Sequence, residues 1–241
     1  MLTSATLYNA DVAPVNILCD ILEEMKRARP YHHGNLKQAL IEAAVKVLAK
    51  MGPRAFTLRE VARQAKVSHN APYRHFRDKD ELLAAVAGEG FDQLAESMIT
   101  AAAPASNALD ALELSGLGYV RFALQWPEHF SAMFDHSQDL STYPEYAALG
   151  RRAFQVLLDN IVASQKAGHM PSGDPQSLAL VAWSLVHGIA KLAIAKRLPL
   201  ESADAILRFT EFATRALGDG LSNVVPVAVG AGRPSGKLKR P

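Results

Sequence analysis

At 241 residues and a formal net charge of +2, the chain is long enough for one large or two modest domains with a real core. Cys19 is the single cysteine, which excludes an internal disulfide and makes a reducing cytoplasm the expected compartment. No uninterrupted apolar run reaches the roughly 18 residues that span a bilayer, and the first 25 residues lack the basic start and apolar stretch of a signal peptide, so no membrane partner is expected.

The near-neutral total hides a lopsided distribution. Residues 26–79 hold thirteen Lys/Arg and three Asp/Glu, a local charge of +10. The rest holds thirteen basic and twenty-one acidic residues, or −8. A basic block on a mildly acidic body is the electrostatic footprint of a nucleic-acid-binding protein.

Residues 1–25 read as a flexible extension, with Met25 as an alternative start. Lys26 to His33 form a basic arm, suited either to phosphate and minor-groove contact or to solvation alone. Gly34 and Asn35 open a helix to about Met51, with Asn35 as cap and Leu36, Leu40, Ala44, Val47 and Leu48 as an apolar stripe. Gly52 and Pro53 stop it. Phe56 is placed in a small core with Leu58 and Val67.

Thr57 and Glu60 then have the spacing of a capping box. Leu58, Val61, Ala62 and Ala65 give a short helix one apolar face. Lys66, Val67 and Ser68 suffice only for a tight turn. Ser68 can cap a second short helix carrying His69, Asn70, Tyr73 and Arg74, with Pro72 in its first turn. Two short helices joined by a tight turn form the helix-turn-helix, whose second helix enters the DNA major groove.

Thr57-Leu-Arg-Glu-Val-Ala, Lys66-Val-Ser and Tyr73-Arg-His-Phe76, followed by Lys79 and Leu82, resemble the DNA-binding domain of the TetR family of bacterial repressors over roughly residues 34–83. The family commonly carries Gly where this chain has Lys66. The resemblance implies that Thr57, Tyr73, His75 and Lys79 position the protein on phosphates. His69, Asn70, Ala71 and Arg74, with Arg59 and Ser68 beside them, are expected to face base edges or to neighbour the residues that do. Asn suits adenine and Arg suits guanine by bidentate geometry.

Beyond Phe76, Asp78 and Glu81 repeat the capping-box spacing, and a helix runs from Lys79 or Asp80 to about Ala102. Ala103-Pro104-Ala105 breaks it. A further helix from Asn107 carries Leu109, Leu112, Leu117, Val120 and Leu124 and ends at Trp126-Pro127, which starts another. His129, Phe130, Met133, Phe134 and His136 follow closely, as core or as a pocket wall. The next helix begins near Pro144 and closes at Gly168. Asp174-Pro175 caps one that reaches about Arg197, and the last extends from Ser202 or Ala203 to Leu217. From Gly218 onward, Gly, Pro and a basic end predict disorder.

Chemistry-bearing motifs are few. The eight His form no metal-ligand cluster, and there is no phosphate loop or nucleophile elbow. Neither an enzyme nor a cofactor is expected. Trp183-Ser-Leu-Val-His187-Gly188 resembles the Trp-His-Gly-type C-terminal domain of one branch of TetR-like regulators, and also reads as a core Trp beside a satisfied core His.

The expected architecture is all-α, about nine helices. It comprises an extension (1–25), a three-helix DNA-binding domain with the helix-turn-helix (26–83), a helical effector-binding and dimerisation domain (84–218) and a tail (219–241). The expected function is a sequence-specific, ligand-responsive repressor that binds a two-fold operator as a homodimer. Phe130, Met133, Trp183 and His187 are the expected ligand residues for a small, largely apolar effector. The resemblance implies dimerisation through the last two long helices. A DNA-binding protein governed by a partner protein is the first alternative, and a helical-bundle enzyme the second.

Overall fold

The computed structural model describes residues 36–52, 55–135 and 140–221. The chain divides into two compact units, Met1–Leu36 and Lys37–Pro241, and of the first only Leu36 is described. The N-terminal extension, the basic arm, the Asn35 cap, His136 and the tail beyond Leu221 lie outside the described residues.

Every described element is helical. α1 (Leu36–Met51) buries Leu40, Ile41, Ala44, Val47 and Leu48 on the face its apolar spacing defines, and Gly52 closes it at φ +67. α2 (Leu58–Gln64) starts where the Glu60 amide donates to Thr57 Oγ1 at 3.2 Å. The reciprocal half of that capping box is missing. Glu60 Oε2 accepts from Arg63 at 2.7 and 2.9 Å, because a bidentate guanidinium one turn away is the stronger partner.

α3 (Lys79–Ala102) is capped by Asp78, whose Oδ1 accepts from the amides of Asp80 and Glu81. Glu81 reaches back one residue further than a capping box requires, to the Arg77 amide at 2.7 Å. α3 packs along α4 (Ala108–Gln125), α5 (Pro127–Phe134) and α6 (Pro144–Lys166). Its approach to α4 is backbone-close. A Cβ added at Gly118 would stand 2.6 Å from the Ser97 carbonyl, and Ser97 Oγ donates to the Gly118 carbonyl at 2.9 Å.

α7 (Pro175–Ile194) begins at Asp174, whose carboxylate accepts from the Gln176 and Ser177 amides. It ends three residues short of the expected Arg197, in a turn that places Lys196 at φ +54 and donates the Arg197 amide to the Leu192 carbonyl. α8 (Ala203–Leu221) continues past Gly218, where termination was expected. Gly218 is buried, and a Cβ there would meet Glu113 Oε1 at 3.0 Å and Leu109 at 3.3 Å. The glycine serves tight packing on α4 instead of a stop.

α7 is long and apolar enough to cross a membrane by length and composition, a property not expected from the sequence. Its apolarity serves two faces. Ala179, Ala182, Val186, Ile189, Ala190 and Ala193 are buried, while Leu180, Val181 and Leu192 are about half exposed. On α8, Phe209 and Phe212 are exposed, the latter by 68%.

Candidate DNA interface and ligand cavity

The head is built around a turn that its sequence makes unusual. α2 ends at Ala65, and Lys66 follows at φ +57, a left-handed conformation that disfavours side chains with a Cβ. The Val67 amide donates to the Ala62 carbonyl at 3.0 Å and the Lys66 amide to the Arg63 carbonyl at 3.2 Å. This closure meets the orphan carbonyls of α2 and fixes the direction in which the chain leaves.

The segment after the turn departs from the expected short helix. It forms bends and one 3₁₀ turn, Pro72–Arg74. Pro72 is the reason. With Ser68 as the helix cap, residue 72 is the first that must donate back to the Ser68 carbonyl, and proline has no amide to give. The Ala71 amide takes that carbonyl instead, at 2.9 Å, which overwinds the backbone. Buried Pro72 and Phe76 pin the segment to the head.

Nine of the ten residues expected at DNA are exposed: Thr57, Arg59, Ser68, His69, Asn70, Tyr73, Arg74, His75 and Lys79. Ala71 is turned inward, 8% exposed, so it spaces the others and presents no contact surface. Arg63 and Arg77 are engaged by Glu60 and Glu81. Arg59, Arg74 and Lys79 form no ion pair among the described residues, so their charge is directed at solvent. Tyr73 is 54% exposed, a large aromatic held outward beside these cations.

The second candidate site is a cavity of about 240 Å³ bordered by α3, α4, α6, α7 and α8, with the end of α5. Phe91, Leu94 and Met98 of α3, Leu112 and Tyr119 of α4, Phe134 of α5, Ala153, Phe154 and Leu157 of α6 and Trp183 of α7 supply its apolar wall. Of the expected ligand residues, Trp183 stands in the lining. His187, Phe130 and Met133 do not. His187 and Phe130 form the layer behind it with Tyr119 and Phe134, and Met133 packs against Gly90 of α3.

That layer is hydrogen-bonded and aromatic. Trp183 Nε1 donates to the Tyr119 hydroxyl at 3.2 Å, and the hydroxyl lies 2.9 Å from His187 Nδ1. Burial pushes the Tyr119 phenol well above its usual range, so it stays protonated and donates. Burial first, and the Lys191 ammonium second, lower the His187 pKa against the opposing Asp135 carboxylate, which favours a neutral imidazole able to accept at Nδ1 in its Nε2–H tautomer. Phe130 and Phe134 flank the imidazole at ring-centroid distances of 5.4 and 4.7 Å. The Trp183–His187 pair is thus both cavity wall and structural support.

Sequence reasoning missed Glu113, Ser115 and Tyr119. A signal was present: Leu112, Ser115-Gly116 and Tyr119 recur at helical spacing, and small residues in a core stripe leave room. Glu113 enters the wall with only 15% of its side chain exposed and lies 3.7 Å from the Arg215 guanidinium.

Known proteins share both halves. Residues 40–86 match the family described as bacterial regulatory proteins, tetR family, and residues 112–217 match the tetracyclin repressor-like C-terminal domain. The HTH-type transcriptional repressor Rv3405c of Mycobacterium tuberculosis is 36% identical over 61 residues, 25% of this chain and 32% of that protein. The chain thus spans about a third of the length of the curated relatives it matches. A Rhodococcus sp. RHA1 protein of unknown function is 32% identical with a TM-score of 0.70, covering 80% of this chain and 99% of its own. A bacterial regulatory protein of the tetR family from Rhodococcus RHA1 is 25% identical with a TM-score of 0.61, covering 76% and 96%. With a family match at the head, a second at the helical body and a relative followed over nearly its whole length, the chain belongs to the TetR family of bacterial transcriptional regulators.

Proposed function

We propose that the protein is a ligand-responsive repressor that binds a two-fold DNA operator as a homodimer in the cytoplasm. One observation carries the reading: an outward-facing set of Arg59, His69, Asn70, Tyr73, Arg74, His75 and Lys79 is joined, through the unbroken α3, to an apolar cavity. The exposed cations and amide suit phosphates and base edges. The cavity has the make-up of a small-molecule site. Phe91, Leu94 and Met98 belong to the same helix that Asp78 caps at the head, so a ligand that favours one α3 position shifts the population of DNA-competent protein.

Dimerisation follows from the outer faces of α7 and α8. Leu180, Val181, Leu192, Phe209 and Phe212 stand exposed, and a second copy is the partner that a self-complementary helix pair takes. Two heads then read successive major grooves about 34–36 Å apart.

The test is footprinting of the purified protein on DNA flanking its own gene, with sedimentation of the free protein. A protected palindrome and a dimer are expected. A monomer at micromolar concentration that occupies a single half-site overturns the reading.

A further inference from the structure

We infer that the cavity takes a cationic amine on an apolar skeleton of about bicyclic size, with the ammonium at Glu113. This inference rests on the effector-cavity reading above and names the chemistry that the cavity selects.

Size comes first. An engineered apolar cavity of about 150 Å³ holds benzene. At about 240 Å³, this one has room for a second fused ring. Apolar side chains make most of the wall, so a bare hydrocarbon already gains from entering.

Charge in the wall is confined to one side chain of α4. Ser115 belongs to the lining but is fully buried, so its hydroxyl presents no surface to the cavity. Glu113, two residues earlier, brings the sole acidic side chain of the lining. The other polar groups of the wall are engaged. The Tyr119 hydroxyl bonds Trp183 and His187, and Thr214 Oγ1 donates to the Glu211 carbonyl.

The sign of the ligand charge follows from which partner faces inward. Arg215 pairs with Glu113 at 3.7 Å, longer than a good charged hydrogen bond, and is 62% exposed; it is not part of the lining. The cavity therefore meets the carboxylate and not the guanidinium. Burial holds the Glu113 carboxyl above the usual range, with Asp110 and Asp219 adding to the shift and Arg215 opposing it. A carboxylate short of positive charge gains from an ammonium and repels an acid.

The experiment is calorimetric titration of the intact protein with three ligands of one skeleton: 1-naphthylmethylamine, 1-naphthylmethanol and 1-naphthoic acid. The amine is expected to bind at least tenfold tighter than the alcohol, and the acid most weakly. Glu113→Gln is expected to abolish the amine's advantage and leave the alcohol within about twofold. Ala153→Phe, which fills the cavity, is expected to abolish all three. If the acid or the alcohol matches the amine on the unsubstituted protein, or if Glu113→Gln keeps the preference, the amine inference falls and the effector cavity stands. If none of the three binds, both fall.

Discussion

The head and the helical body use apolar residues in opposite ways. In the head Phe56, Leu58, Val61, Ala62, Pro72 and Phe76 are all buried, and what faces outward is charged, amide or phenolic. The body leaves apolar surface unpaired twice, once inward at the cavity and once outward on α7 and α8. A reader of DNA needs a rigid mount with its chemistry on the outside. A sensor needs a core that is not fully packed, so that filling it changes something.

Substitutions can separate the two regions. The largest effect on stability is expected in the body. Phe130 is 1% exposed and touches the rings of Tyr119, Phe134 and His187, so Phe130→Ala should destabilise by about 3–5 kcal/mol in urea unfolding. Tyr73→Ala in the head should stay within about 0.5 kcal/mol. Comparable losses from both would erase the contrast between mount and sensor.

On DNA the order reverses. Asn70→Ala should cost about 1–3 kcal/mol on the operator and little on random sequence, read by fluorescence anisotropy. An equal loss on both would move Asn70 to the phosphate contacts. Lys79→Ala should weaken binding to every sequence and flatten the salt slope by about one unit. A changed operator preference at an unchanged slope would refute that role.

Smaller effects probe the joints. Lys66 holds φ +57, so Lys66→Gly should stabilise the protein by up to about 1 kcal/mol, and a loss of stability would show that the lysine side chain makes up for its own strain. His187 is held neutral by burial and by Lys191, with Asp135 opposing, so its folded pKa lies below its unfolded value. As pH falls through about 6.5 the unfolded chain takes up the proton first. Stability should therefore drop below that pH and stop dropping once the folded pKa is passed. His187→Gln keeps an acceptor for Tyr119 and should flatten this part of the pH profile; an unchanged profile would assign the loss to other groups.

How much of this was legible in the chain depended on whether local chemistry decided the outcome. Thr57, Asp78, Asn107 and Asp174 cap the helices they precede, because a cap is settled within four residues. The 3₁₀ turn at Pro72 was misjudged although its cause is local: the ring sits at the position where the missing amide matters most. Gly218 misled for the opposite reason. Its helix is sustained by Leu109 and Glu113, a full hundred residues away in sequence, and no local rule carries that distance. The same holds for the cavity. Trp183 is legible as a wall residue because tryptophan stands out, whereas Glu113 enters the wall only through what α4 is packed against.

In the proposed switch, the near-contact of Gly118 with Ser97 would make α3 a lever. Backbones that touch cannot slide easily, so Ser97 is a natural fulcrum. From it the head end at Lys79 lies eighteen residues away, about 27 Å at 1.5 Å per residue, and the cavity residue Phe91 lies six residues away, about 9 Å. The mechanical advantage is about three. A ligand that displaces Phe91 by about 0.7 Å would swing the head end by about 2 Å, and two heads in a dimer would double the error in groove spacing. Moving the fulcrum should retune the switch: Ser97→Ala removes the bond that holds it and should lower the ligand's effect on DNA release more than its affinity for the cavity.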